Sequence, residues 1–224
     1  MKRLLILLFS ILISFNSYGE VELDFSSDTF CDQSPKVQTR GNLYYLPNTE
    51  EPYSGENLCV YLLNGQYYSQ GNIKKGLRDG KWTYWHKNGQ IKEEQNYIDG
   101  KKDGKWTWWE ENGQKKSEAN WKDGKEVSQT DYYYYENGQI KEEENYKDGK
   151  LDGKFTAWHE NGQKRFERNY KDDKLDGKLT WWHENGQTVV EGNYKDGKKD
   201  GKWTEWHENG QKEWEEYYKD GKEV

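Results

Sequence analysis

Aliphatic side chains are scarce in this chain. Leu, Ile, Val and Phe together supply 35 of its 224 residues, a level that by itself belongs to chains unable to bury enough apolar surface to fold. Cysteine is limited to Cys31 and Cys59, with no Cys-x-x-Cys and no nearby histidine, so neither a metal site nor a catalytic thiol is indicated. There is no glycine-rich phosphate loop leading into a helix and no nucleophile elbow, so the familiar marks of nucleotide binding and serine hydrolysis are missing. A basic stripe is missing as well. The 34 Lys and Arg are mixed with 41 Asp and Glu, for a net charge of −7, and an acidic chain gains nothing electrostatically from nucleic acid or anionic lipid.

What is abundant opposes disorder. Aromatics reach 16%, with 12 Trp and 18 Tyr, in a regular period with turn signals at fixed places. Only the start of the chain is continuously apolar. Lys2 and Arg3 precede the run Leu4 to Phe15, and Ser17-Tyr18-Gly19 offers small residues at a cleavage site. Residues 1–19 therefore read as a secretory signal peptide. The run is too short to span a bilayer comfortably, and no other segment is apolar enough to do so. The protein is expected in the periplasm or outside the cell. Removing the leader takes away Lys2 and Arg3 and no acid, and moves the net charge from −7 to −9. In an exported chain the even pair Cys31 and Cys59 predicts a disulfide.

The motif Asn-Gly-Gln recurs at Asn64, Asn88, Asn112, Asn137, Asn161, Asn185 and Asn209, in steps of 24 residues with one of 25. A fixed period of this length marks an array of stacked units. Asn-Gly flanked by arms rich in Trp, Tyr and Thr predicts a β-hairpin with a type I′ turn. Segments such as Lys147 to Lys154 carry two further Asp-Gly turn signals. The expected fold is all-β: an elongated single layer of stacked antiparallel hairpins, about seven copies of 24 residues, over residues 51–224. Residues 20–50 lack the period and read as a cap or arm. The stretch Glu126 to Tyr135 departs from the pattern, is one residue longer, and predicts a bulge or kink.

The pattern GKWTxWxENGQxKxExNYKDGKxDGK resembles the MORN-variant repeat of bacterial YwqK-family proteins, and Glu51-Pro52-Tyr53-Ser54-Gly55 resembles the entry to such arrays. The resemblance covers residues 51–224. It implies stacked antiparallel hairpins, no catalytic residues, no cofactor and a protein-interaction role. Many relatives carry an antitoxin label, which implies neutralising a partner toxin in the cytosol. The signal peptide departs from that role.

Columns across the copies offer candidate sites. His86, His159, His183 and His207 lie two residues before the turn Asn. Copies spaced about 10 Å apart cannot place two imidazoles on one zinc ion, so the column reads as a by-product of duplication. Glu94, Glu118, Glu143, Glu167, Glu191 and Glu215 form a ladder rather than a unique pair, and read as partners of nearby Lys rather than as acid and base. The Asp-Gly-Lys-x-Asp-Gly loops place Lys beside each candidate calcium ligand, which disfavours a calcium site.

The aromatic columns are the candidate surfaces. Three residues before the turn stand Trp85, Trp109, Tyr134, Trp158, Trp182 and Trp206, aromatic throughout; this column is assigned to the packed face. Four before it stand Tyr84, Trp108, Tyr133, Ala157, Trp181 and Glu205. Its aromatic members Tyr84, Trp108, Tyr133 and Trp181 are assigned to an accessible binding face. The partner is expected to be another protein. Cell-wall carbohydrate and, as an antitoxin or immunity protein, a toxin are the alternatives.

Overall fold

The computed structural model describes residues 29–31, 37–61 and 64–224. The expected leader, residues 1–19, and its cleavage site after Gly19 lie outside them. Short strands β1 (Thr29–Cys31), β2 (Gln38–Arg40) and β3 (Leu43–Tyr45) come first. The array follows as β4 (Gly55–Tyr61), β5 (Tyr67–Lys74), β6 (Leu77–Trp85), β7 (Ile91–Ile98), β8 (Lys101–Lys102), β9 (Gly104–Trp109), β10 (Lys115–Lys122), β11 (Lys125–Tyr134) and β12 (Ile140–Lys147). It ends with β13 (Lys150–Trp158), β14 (Lys164–Lys171), β15 (Lys174–Trp182), β16 (Thr188–Lys195), β17 (Lys198–Lys199), β18 (Gly201–Trp206), β19 (Lys212–Lys219) and β20 (Lys222–Glu223). From β4 onward the strands pair antiparallel in chain order, with β8 and β9 both pairing with β7 and β17 and β18 both pairing with β16, in one 18-stranded sheet that β1 joins beside β4. No large side chain is fully buried among the described residues, as a single layer of hairpins requires.

The two kinds of turn exchange the roles expected of them. At Asn-Gly only the glycine has positive φ: Gly89 lies at 86°, and no Asn of an Asn-Gly-Gln turn is left-handed among the described residues. The Gly89 N–H donates to His86 O at 2.9 Å, and the His86 N–H to Gln90 O at 2.8 Å. That is a three-residue loop with a left-handed glycine bulge, not a type I′ turn. The cause is the Asn side chain. Asn88 Oδ1 accepts the Gln90 N–H at 2.9 Å while its Nδ2 donates to Glu111 O of the next copy at 2.6 Å. The type I′ turns fall at Asp-Gly instead, where Asp99 (47°) and Gly100 (79°) are both left-handed and Ile98 pairs directly with Lys101.

Asn-Gly-Gln therefore builds one edge of the sheet. Asn holds its own turn and the next, and Gly leaves room for the preceding copy's Gln, since a Cβ on Gly186 would lie 2.6 Å from Gln163 Oε1. The histidines belong to the same edge. His86 Nε2 lies 2.9 Å from Trp109 O, and His159 Nε2 lies 3.0 Å from Trp182 O; Tyr135 Oη donates to Trp158 O at 2.7 Å. Two members of the histidine column, His86 and His159, thus stitch one copy to the next, whereas His183 Nε2 is buried without a hydrogen-bond partner among the described residues.

The second Asp-Gly of each period makes a bulge. Asn72 pairs with Asp79 and Gly71 with Trp82, so Gly80 and Lys81 bulge out of β6. In the irregular copy Asn120 pairs with Ser128 and Trp121 with Glu126, leaving only Val127 unpaired. Glu118 consequently opposes Thr130, whereas Glu94 opposes the regular Thr107. The inserted residue is absorbed as a register shift. At the start of the array, Tyr44 and Tyr53 pack on the first aromatic cluster, and the Tyr44 N–H donates to Gly76 O at 2.9 Å.

Candidate functional site

Alternation along a strand sends every second side chain to the same face. On one face the deepest column lies six residues before the turn Asn: Trp82, Trp106, Leu179 and Trp203 are buried. Trp82, Ile73, Tyr97 and Trp106 form one core cluster. Each of these Trp crosses the bulge, and the indole N–H donates to a backbone carbonyl: Trp82 to Asn72, Trp106 to Asn96 and Trp203 to Asn193, at 3.0–3.2 Å.

The column four before the turn shares this face, two residues along. Trp82 stacks on Tyr84 at 6.4 Å and Trp106 lies 5.8 Å from Trp108. The expected facial assignment is therefore corrected. Tyr84 and Trp108 are half-buried against the core cluster, and Ala157 is buried beneath its neighbours at 1% exposure. Only Tyr133 (45%) and Trp181 (40%) in this column are exposed aromatics. Trp85, Trp109, Tyr134, Trp158, Trp182 and Trp206, expected as the packed seam, point to the other face and are all half-buried. Uniformity there does not mark the core. That second face buries Thr107, Thr156, Thr180 and Thr204, each directly opposite a ladder Glu. Except at Glu143 the ladder is paired with lysine: Lys81–Glu94 at 2.6 Å, Lys154–Glu167 at 2.9 Å, Lys178–Glu191 at 2.9 Å and Lys202–Glu215 at 2.9 Å, with Lys105 on Glu118.

Cations lie over the rings of the aromatic face. Arg78 sits 4.5 Å from Trp82, Lys102 3.8 Å from Trp121, Arg168 4.1 Å from Phe166 and Lys199 4.3 Å from Trp203. Burial pushes the Tyr84 and Tyr97 hydroxyls up, with Arg78 opposing. The irregular copy breaks this scheme. Asp131 replaces the buried Trp and stands directly opposite Glu144. Tyr146 Oη donates to Glu144, and Gln129 Nε2 donates to Asp131 Oδ1 at 2.7 Å. Burial, then Glu144, Asp131 and Glu142, raise the Tyr133 hydroxyl. A groove of about 480 Å³ adjoins this point, lined by Trp108, Ser117, Trp121, Glu126 and Gln129 among others. The Trp121 indole N–H is buried there without a hydrogen-bond partner.

At the N-terminal end the register places Cys31 across from Cys59. Cys59 is buried and is not a free thiol; the side chain of Cys31 lies outside the described residues.

The class this architecture defines is an array of antiparallel β-hairpin repeats. A model of the MORN repeat variant matches residues 78–99, 102–123, 132–148, 151–172, 175–196 and 199–220, together more than half of the chain, and the chain belongs to that family. The regular matches run from strand to strand around one Asn-Gly loop. The shortest, 132–148, begins inside the irregular stretch Glu126 to Tyr135. No match covers Gly55–Lys74, where β4 and β5 build a hairpin without the full motif. No curated protein matches the chain.

Proposed function

We propose that this chain is an exported, non-enzymatic MORN-variant repeat protein of the YwqK kind, whose aromatic face binds another protein. The family is one of interaction repeats. The observation that carries the reading is the exposure of Tyr133 and Trp181, at 45% and 40%, on the face that also holds the core. Their neighbours in the column are half-buried or small, so these rings are spare contact area rather than core. Aromatic anchors of this kind dominate protein interfaces. Export is supported by the sequence of residues 1–19. Periplasmic and extracellular proteins are the candidate partners.

The test is capture from a cell-envelope extract on immobilised protein, beside the Tyr133→Ala/Trp181→Ala variant. A specific protein retained by the wild type and lost by the variant is the expected result. Retention on sedimented peptidoglycan, with no protein captured, would overturn the reading in favour of a carbohydrate-binding module.

A further inference from the structure

The aromatic face changes chemistry at its irregular copy. Where Arg78, Lys102 and Lys199 cover tryptophans in other copies, this copy has Glu126-Val127. Where they have Trp, it has Asp131, and Asp131 opposes Glu144 directly across the strands. Two like charges in cross-strand register oppose folding, and among the described residues neither carboxylate has a Lys or Arg partner within ion-pair distance. The ladder glutamates of the other face, Glu143 of this same copy excepted, have their lysines. Around these carboxylates, each of which accepts a hydrogen bond within the chain but faces no cation, stand the exposed ring of Tyr133, the adjoining groove with Trp108 and Trp121, which Lys92 and Lys116 also line, and farther along Trp181.

We propose that the stretch of this face from Trp108 to Trp181 docks a basic segment of a partner protein, an arginine- or lysine-bearing stretch. The inference rests on the protein-binding reading above and names its chemistry. A partner cation would take the place over Tyr133, Asp131 and Glu144 that the chain's own Arg and Lys take in neighbouring copies. The physical basis is the one the fold already uses: a cation gains from an aromatic face, more so when partly desolvated, and here two carboxylates add charge complementarity. The acidic balance of the chain, net −7, steers the same class of partner toward it.

The experiment measures binding of labelled deca-arginine to the full chain by fluorescence anisotropy at fixed ionic strength. Deca-glutamate serves as the opposite-charge control. Asp131→Asn/Glu144→Gln removes the proposed site; Glu167→Gln/Glu191→Gln removes the same charge from the opposite face. The first variant is expected to weaken binding about tenfold or more, and the second less than about twofold. Equal losses in both variants would show attraction by net charge alone and overturn the proposal. So would an unchanged affinity in the first variant, or no binding of deca-arginine by the wild type. Thermal melting of both variants checks that they fold. Envelope capture that still depends on Tyr133 and Trp181, beside a negative arginine result, would leave the protein-binding reading standing and remove only the basic partner.

Discussion

The indole N–H of Trp106 donates to the carbonyl of Asn96 at 3.0 Å, across the bulge that Asp103 and Gly104 introduce. The same carbonyl accepts the Asp103 N–H at 3.0 Å, so it remains satisfied without the indole. Trp106→Phe keeps a six-membered ring in the site but removes the donor together with part of the buried indole. The expected cost is about 1–3 kcal/mol, the lost hydrogen bond plus a small cavity, read as a shifted denaturant midpoint at unchanged slope. A loss as large as that of Trp106→Ala would mean that the bulge itself depends on the indole.

Gly192 and Gly197 separate two reasons for glycine. A Cβ on Gly192 would lie 2.2 Å from the Trp203 ring, whereas at Gly197 (φ 81°) it would meet nothing within 4 Å. Gly197→Ala pays only the left-handed strain of an L-residue, about 1–2 kcal/mol. Gly192→Ala displaces a buried tryptophan and is expected to cost about 1–3 kcal/mol or more by overpacking. A Trp203→Leu background should relieve the second loss and leave the first unchanged, as paired denaturation curves would show.

The glutamate ladder sets the response to acid. Partial burial opposes ionisation of Glu118 and Glu167, but hydrogen bonds from Lys105 and Lys115, and from Lys164 and Lys154, outweigh it and hold both carboxyls below the ordinary glutamate value. A carboxyl depressed in the folded state contributes fully above its unfolded pKa of about 4.3, and that stability is lost as pH falls through the folded value. Stability should therefore decline below about pH 5, and Glu118→Gln/Glu167→Gln should flatten that decline. At the alkaline end, burial and then Glu118 and Glu143 push the Tyr132 hydroxyl up to about 12. Being raised, its contribution is complete below the unfolded value of about 10 and fades as pH rises toward the folded one. Ultraviolet titration of phenolate in wild type and Tyr132→Phe reads this directly.

The Cys31 and Cys59 backbones are in register, and the predicted disulfide would contribute about 3–4 kcal/mol in the chain-entropy model. Alkylation and mass measurement on protein recovered from an oxidising compartment should find no free thiol. Two alkylated cysteines would refute the pairing.

The hairpin array is legible in the sequence because its turns are written in residue types with few conformational options. What the sequence does not reveal is which dipeptide makes which turn. Asn88 binds its own loop and the next copy at once, and that contact lies 23 residues away. The buried column is hidden for a related reason. Six before the turn, the residue varies from Trp to Asp, Phe and Leu, yet the neighbouring copy compensates: Gly71 lies under Trp82 and Gly192 under Trp203. Reading one column at a time misses a volume shared between two. The constant aromatics at Trp85 to Trp206 mislead in the opposite direction, since they line a half-buried face above the threonine row.

One face serves as core at Trp106 and as free surface at Trp181, with exposures of 4% and 40%. Equilibrium denaturation of Trp106→Ala and Trp181→Ala tests this most directly. Trp106→Ala should cost about 3–5 kcal/mol, and Trp181→Ala about 1 kcal/mol or less. Equal losses, or a larger loss at Trp181, would show that the face is core along its whole length.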